Sequence, residues 1–218
     1  MRATRRELLV GAGGGLAVGL AGCTGQLTGD GAAFAATEAT LSAGVQADTG
    51  YSHHRTTEDT VVEEFERFGF TRRIEVTNVI GEYDRALELE FLGVRLQAAV
   101  FAILSTPQVR ILGRSFNPVA DMAPVEIAEL LQERYEQIRD VQEDGSFETR
   151  VGGESTTVSR FTANARLVEA GRGVDVYLYI SAAVEAGDDY VVTLAIHPQF
   201  FGRRRETVET LMAGVEHA

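Results

Sequence analysis

Strand-like alternation of apolar and polar residues dominates the chain after Tyr51, and two helical stretches interrupt it. Residues 60–67 and 70–80 are β-rich and flank Phe68-Gly69. In the second run Ile74, Val76, Asn78 and Ile80 share one face, the period of a hairpin strand. Residues 96–104 form a continuous apolar run of strand length, which predicts a buried central strand. Ser105-Thr106-Pro107 and a shorter apolar run, 109–112, follow it. Three further strands are predicted: 155–168 with Phe161, Ala163, Ala165 and Leu167 on one face, 174–184 with Val174, Val176, Leu178 and Ile180, and 189–197 with Tyr190, Val192, Leu194 and Ile196. The Gly-containing segments 170–173 and 186–188 are the turns between them.

Helical spacing occurs twice. Pro124 stands where a helix starts, and Ile127, Leu130, Leu131, Tyr135 and Ile138 recur with its period, predicting an amphipathic helix over about 124–139. A last helix over about 204–216 carries Val208, Leu211, Met212 and Val215. Short turns between successive strands imply antiparallel pairing. The expected class is therefore α+β, an antiparallel sheet with two packed amphipathic helices.

The first 22 residues stand apart from this pattern. A basic stretch with Arg2, Arg5 and Arg6 precedes a Gly-rich apolar run, residues 8–21, too short to span a bilayer comfortably. Thr4-Arg5-Arg6-Glu7-Leu8-Leu9 resembles a twin-arginine export signal, in which Arg5 and Arg6 are read by the export receptor. Leu20-Ala21-Gly22-Cys23 resembles a lipobox, which implies lipidation of Cys23 and cleavage before it. Residues 1–22 are thus expected to be a lipoprotein signal peptide. The small, polar, Gly-rich residues 23–33 read as a flexible tether, and 34–218 as a single domain without repeat or second linker. The implied location is the extracellular face of the cell membrane, with the lipid on Cys23 as the membrane partner.

Composition narrows the function classes. Of 218 residues, 32 are acidic and 20 basic, a formal charge of -12, which repels nucleic-acid phosphates and argues against nucleic acid as a partner. Removal of residues 1–22 leaves 17 basic and 31 acidic residues, a charge of -14. Every basic residue is arginine, as in proteins of halophilic archaea, whose hydrated carboxylates tolerate concentrated salt. The one cysteine leaves no disulfide framework or cysteine zinc site within the chain.

The twin-arginine leader, the stretch Ser105-Thr106-Pro107-Gln108-Val109 through Gly113-Arg114-Ser115-Phe116-Asn117-Pro118, the strand Val174-Asp175-Val176-Tyr177-Leu178 and the C-terminal Leu211-Met212-Ala213-Gly214-Val215-Glu216-His217 resemble an uncharacterised family of haloarchaeal lipoproteins. That likeness spans nearly the whole chain and implies no activity. The order of elements is also similar, in topology, to the PsbP-like fold of small extracytoplasmic accessory proteins.

Candidate chemistry is sparse. No Gly-x-Ser-x-Gly elbow surrounds a serine, and no Walker loop, dinucleotide fingerprint or calcium loop is present, so neither a catalytic residue nor a cofactor is expected. His53 and His54 are neighbours on an extended segment and point to opposite faces, poorly placed to share a metal. His197 and His217 read as surface or strand-end histidines. The acidic pairs Glu63-Glu64, Asp188-Asp189 and Glu88 with Glu90 read as solvated surface in so acidic a chain. One segment departs from that background: residues 91–120 contain no Asp or Glu but hold Arg95, Arg110 and Arg114. Guanidinium groups bind carboxylate or phosphate in a two-pronged geometry, so Arg110, Arg114 and Asn117 are candidate ligands of an anionic small molecule. Arg203-Arg204-Arg205 is a second basic spot that lipid head groups or an acidic partner could use.

These readings lead first to a non-catalytic, lipid-anchored protein that binds a ligand or an envelope partner. The alternatives are a carboxylate- or metal-dependent extracytoplasmic enzyme and a structural envelope component. A pocket lined by Arg110 and Arg114 would mark the first. Converging carboxylates with a histidine would mark the second, and a pocketless apolar patch the third.

Overall fold

The structure, a computed structural model, describes residues 26–28, 31–67, 70–89, 94–111, 114–115, 118–134, 138–167 and 172–217. In chain order they form β1 (Gln26–Thr28), β2 (Gly31–Ala35), β3 (Ala39–Leu41), α1 (Ala43–Thr49), β4 (Ser52–Arg67), β5 (Phe70–Leu89), β6 (Val94–Pro107), β7 (Arg110–Ile111) and β8 (Arg114–Ser115). Then come α2 (Pro118–Asp121), α3 (Pro124–Arg134), β9 (Ile138–Val151), β10 (Glu154–Leu167), β11 (Arg172–Ser181), β12 (Val184–Ala186), β13 (Asp189–Pro198), a 3-10 turn (Gln199–Phe201), α4 (Arg205–Ala213) and β14 (Val215–His217).

The expected α+β class is overturned. The fold is mostly β, built on one large mixed sheet in the order β1-β2-β5-β6-β13-β11-β10-β9, with β4 also on β5 and β12 on β13. Among the described residues the α-helices are only 7, 4, 11 and 9 residues long. The sheet is mixed because β5 is long. One of its edges pairs with β4 over residues 70–84, and the other meets β6 over 79–89, which leaves residues 73–77 for β2 to join in parallel. Gln26–Thr28 and Gly31–Ala35 are the strands that complete this edge, and residues 26–28 and 31–33 of them fall within the stretch 23–33 expected to be a tether.

Several predicted elements agree with the structure. The hairpin around residues 68–69 is present in longer form, with Arg67 opposite Phe70. The apolar run 96–104 lies in β6, between β5 and β13, with Phe101 and Ile103 fully buried. The helix expected over 124–139 instead ends at Arg134, and Ile138 already belongs to β9. Two register shifts between β9 and β10 each place an extra residue on β9, so its half-buried positions Ile138, Val141, Asp144 and Phe147 fall three apart. A bulged strand thus carries the spacing of a helix. Val215, expected on the last helix, lies in β14, which pairs with β3.

Both faces of the central sheet are covered. On one, Phe161, Ala163, Val176, Leu178, Ile180 and Val192 pack with Ala128 of α3. On the other, Phe101, Ile103, Tyr179, Val191 and Ala195 pack with Val208, Leu211 and Met212 of α4 and with Leu41 and Val215 of the β3–β14 pair. Strand β13 therefore buries Asp189, Val191, Thr193, Ala195 and His197 more completely than the Tyr190, Leu194 and Ile196 face that its hydrophobicity singled out. No helix among the described residues is long and apolar enough to cross a membrane.

Candidate functional site

The polar groups of this fold gather on the α4 side of the sheet. Asp189 opens β13 after the Gly187-Asp188 turn, where Gly187 supplies the positive φ of 60° that the turn requires. Although only 1% exposed, its carboxylate accepts hydrogen bonds from the Thr37 backbone N–H at 2.7 Å and from His217 Nε2 at 2.8 Å. An ionised carboxylate bound this way requires the proton on Nε2. One side chain thereby ties the start of the domain, its last strand and the middle of the sheet together. Removing His217 leaves this buried carboxylate one hydrogen bond short, at a cost of about 1–3 kcal/mol.

His217 also lines a chamber of about 370 Å³. It opens where the Gly152-Gly153 turn between β9 and β10, strand β12 and the C-terminal β14 converge. Gly152 has φ 57°, and a Cβ there would come to 3.2 Å from the Val215 carbonyl oxygen, so glycine permits the turn to lie against β14. The walls are apolar at Val151, Val184, Val191 and Val215, while Glu154 and Glu185 bring carboxylates to them. Among the described residues, no hydroxyl, thiol or amine side chain lines the chamber. It therefore offers shape, an apolar surface, negative charge and one oriented imidazole.

A second polar group lies deeper. His197, 4% exposed, sits edge-on to the rings of Tyr51 and Tyr179, with centroids 6.4 and 6.1 Å away. Its Nδ1 is 3.4 Å from the Tyr51 hydroxyl, and Nε2 is buried without a hydrogen-bond partner among the described residues. Burial, then the positive charges of Arg204 and Arg85, lower its pKa from 6.5 to about 4. The ring is neutral at neutral pH. Burial likewise pushes the Tyr179 hydroxyl up to about 12, and that hydroxyl donates to the Arg203 carbonyl. Tyr51, Tyr179 and His197 are not among the chamber's lining residues, and the two tyrosines belong to the core beneath α4, so the cluster reads as core architecture.

The residues singled out in the sequence are distributed differently. Cys23, Arg5, Arg6 and Asn117 lie outside the described residues. Arg110 and Arg114 stand on the small β7–β8 ladder, opposite Ser115 and Ile111 respectively, and are not cross-strand partners of each other. His53 packs on Tyr83 with centroids 5.4 Å apart, while His54 Nδ1 lies 3.3 Å from Asp84, the next residue along β5, so the two histidines do face opposite ways. Among the described residues no group of three potential metal ligands occurs.

Sequence reasoning missed Asp189 and His197, which are buried where surface was expected, and the pairing of half-buried His217 with Asp189. The available signal was their period. Asp189 and His197 alternate in step with Val191 and Ala195, and that face is the more buried one.

Comparison with curated proteins finds no match. Among solved structures, PA94 from Pseudomonas aeruginosa, a protein of unknown function, is 10% identical, with 72% of this chain and 97% of that one covered and a TM-score of 0.34. The family model of a domain of unknown function, DUF6517, matches residues 38–216, and the chain belongs to that family.

Proposed function

We propose that the protein is a lipid-anchored binding protein of the extracellular membrane face of a halophilic archaeon, and that it holds a small cationic ligand with an apolar body in the chamber beside His217. The leader with Arg5-Arg6 and the Leu20-Ala21-Gly22-Cys23 sequence support the address. The lining of the chamber carries the binding reading: apolar walls with two carboxylates. The charge of -14 expected after cleavage adds a long-range field that draws cations toward the surface.

A second reading rests on the same lining. Two lining glutamates and a histidine held by a buried aspartate also suit an acid–base enzyme, with His217 as the proton carrier. The two differ in what Glu154→Gln does. A binding protein loses affinity, whereas an enzyme loses turnover of a substrate it still binds.

The test is thermal melting of the protein at constant ionic strength with butylammonium, butyrate or phosphate. A ligand that binds only the folded state raises the melting temperature. The expected result is a rise with butylammonium alone. A rise with butyrate or phosphate and none with the amine would transfer the reading to the arginines of residues 91–120.

A further inference from the structure

The 3-10 turn after β13 presents a feature that neither the sheet nor the chamber uses. Phe200 is 53% exposed, the highest value among the large exposed hydrophobic residues described. Its ring stacks on Phe201 with centroids 4.4 Å apart, and the Arg204 guanidinium lies 5.7 Å above the Phe201 ring. Phe200, Phe201 and Arg204 are thus contiguous. Arg203 and Arg205 flank them with side chains 58% and 53% exposed.

The turn is pinned from both sides. Gln199 donates to the Val176 carbonyl at 3.1 Å, the Tyr179 hydroxyl donates to the Arg203 carbonyl, and Gly202 closes the turn with φ 75°. An exposed phenylalanine stacked on a half-buried neighbour and carried by a fixed backbone loses little conformational freedom when it is covered. Arg203 shares Asp144 with Arg160 at a long 3.5 Å, and Arg205 pairs with Glu209 at 2.9 Å. Arg204 bonds the Phe201 carbonyl and pairs with no carboxylate among the described residues.

We infer that the Phe200-Phe201 turn and Arg203 to Arg205 form a docking surface for an anionic lipid membrane. The phenyl rings enter the head-group boundary while the guanidinium groups meet lipid phosphates, the division of labour that interfacial segments use. Charge complementarity selects this occupant: in a chain of charge -12, three consecutive arginines give an anionic surface a place to approach. The inference rests on the reading that the chain is carried at a membrane, and it assigns the face turned toward the lipid.

The experiment uses the chain from residue 23 with Cys23→Ser, which carries no lipid, and flotation with vesicles of phosphatidylcholine alone or mixed with phosphatidylglycerol. The expected result is flotation with the mixed vesicles only, reduced about five-fold by Arg204→Gln, as the removal of one surface charge implies. Phe200→Ser should abolish it. Phe200→Trp, which keeps an interfacial aromatic, should retain it, and Val125→Ser, at a 42% exposed site on α3, should leave it unchanged. No flotation of the parent, or equal flotation of Phe200→Ser, overturns the inference. The mass of wild-type protein extracted from membranes reports lipidation of Cys23 independently, so loss of the anchor reading and loss of the docking surface are separate results.

Discussion

Lowering the pH should destabilise this protein through His197, and the size of the effect follows from its surroundings. The ring is buried against Tyr51 and Tyr179, and Arg204 and Arg85 add positive potential, so its pKa in the fold is about 4 against an ordinary 6.5. Because the folded value is depressed, the unfolded chain takes up a proton first as pH falls. His197 therefore favours the fold fully above about pH 6.5, and that contribution is lost progressively down to about pH 4. At 1.36 kcal/mol for each unit between the two values, the total is about 3 kcal/mol. Carboxylates titrate over part of the same range, so wild type must be compared with His197→Leu by urea denaturation at several pH values. The stability difference between the two should shrink by about 3 kcal/mol from pH 7 to pH 4. A difference that stays constant would mean that His197 titrates normally and would refute the burial argument.

Three further outcomes follow from the sequence and the charge. Cys23→Ser should give protein that is exported but released from the membrane fraction, whereas Arg5→Lys with Arg6→Lys should hold the precursor inside; fractionation and mass analysis separate the two, and retention of Cys23→Ser after a salt wash would count against lipidation. Lowering salt from about 1 M to about 0.1 M lengthens the screening distance from about 3 to about 10 Å, so the melting temperature should fall, and a salt-independent value would remove the halophilic reading. If Arg110 and Arg114 are internal ion-pair partners, Arg110→Gln or Arg114→Gln should cost about 1–3 kcal/mol; if they bind an anion, stability should hold while phosphate or carboxylate protection disappears.

The sequence showed the strands best where burial is one-sided or the run is short and wholly apolar, as in β6 and in the hairpin of β4 and β5. It misled where geometry imitates another period. Ile138 falls three residues after Tyr135 and seven after Leu131, the spacing of a helix face, yet it is the first residue of β9. The parallel partner β2 is Gly-Ala-Ala-Phe-Ala, with little β-branched character, and its place depends on the spare edge of β5, a tertiary fact. The candidate chamber was hidden for a related reason. Because β13 is buried on both faces, its polar residues Asp189, Thr193 and His197 looked like the solvent side of an alternating strand. Asp189 also finds its partners, Thr37 and His217, 152 and 28 residues away, and no local pattern brings them together.

Calorimetric titration of butylammonium and of butyrate into wild type and into Glu154→Gln/Glu185→Gln, at constant ionic strength, tests the binding reading most directly. The two probes share an alkyl chain and differ in charge. The account requires saturable binding of butylammonium, weakened about ten-fold or more in the double variant, with little or no binding of butyrate. Equal affinity for both probes, or butylammonium binding indifferent to the loss of both carboxylates, would contradict it.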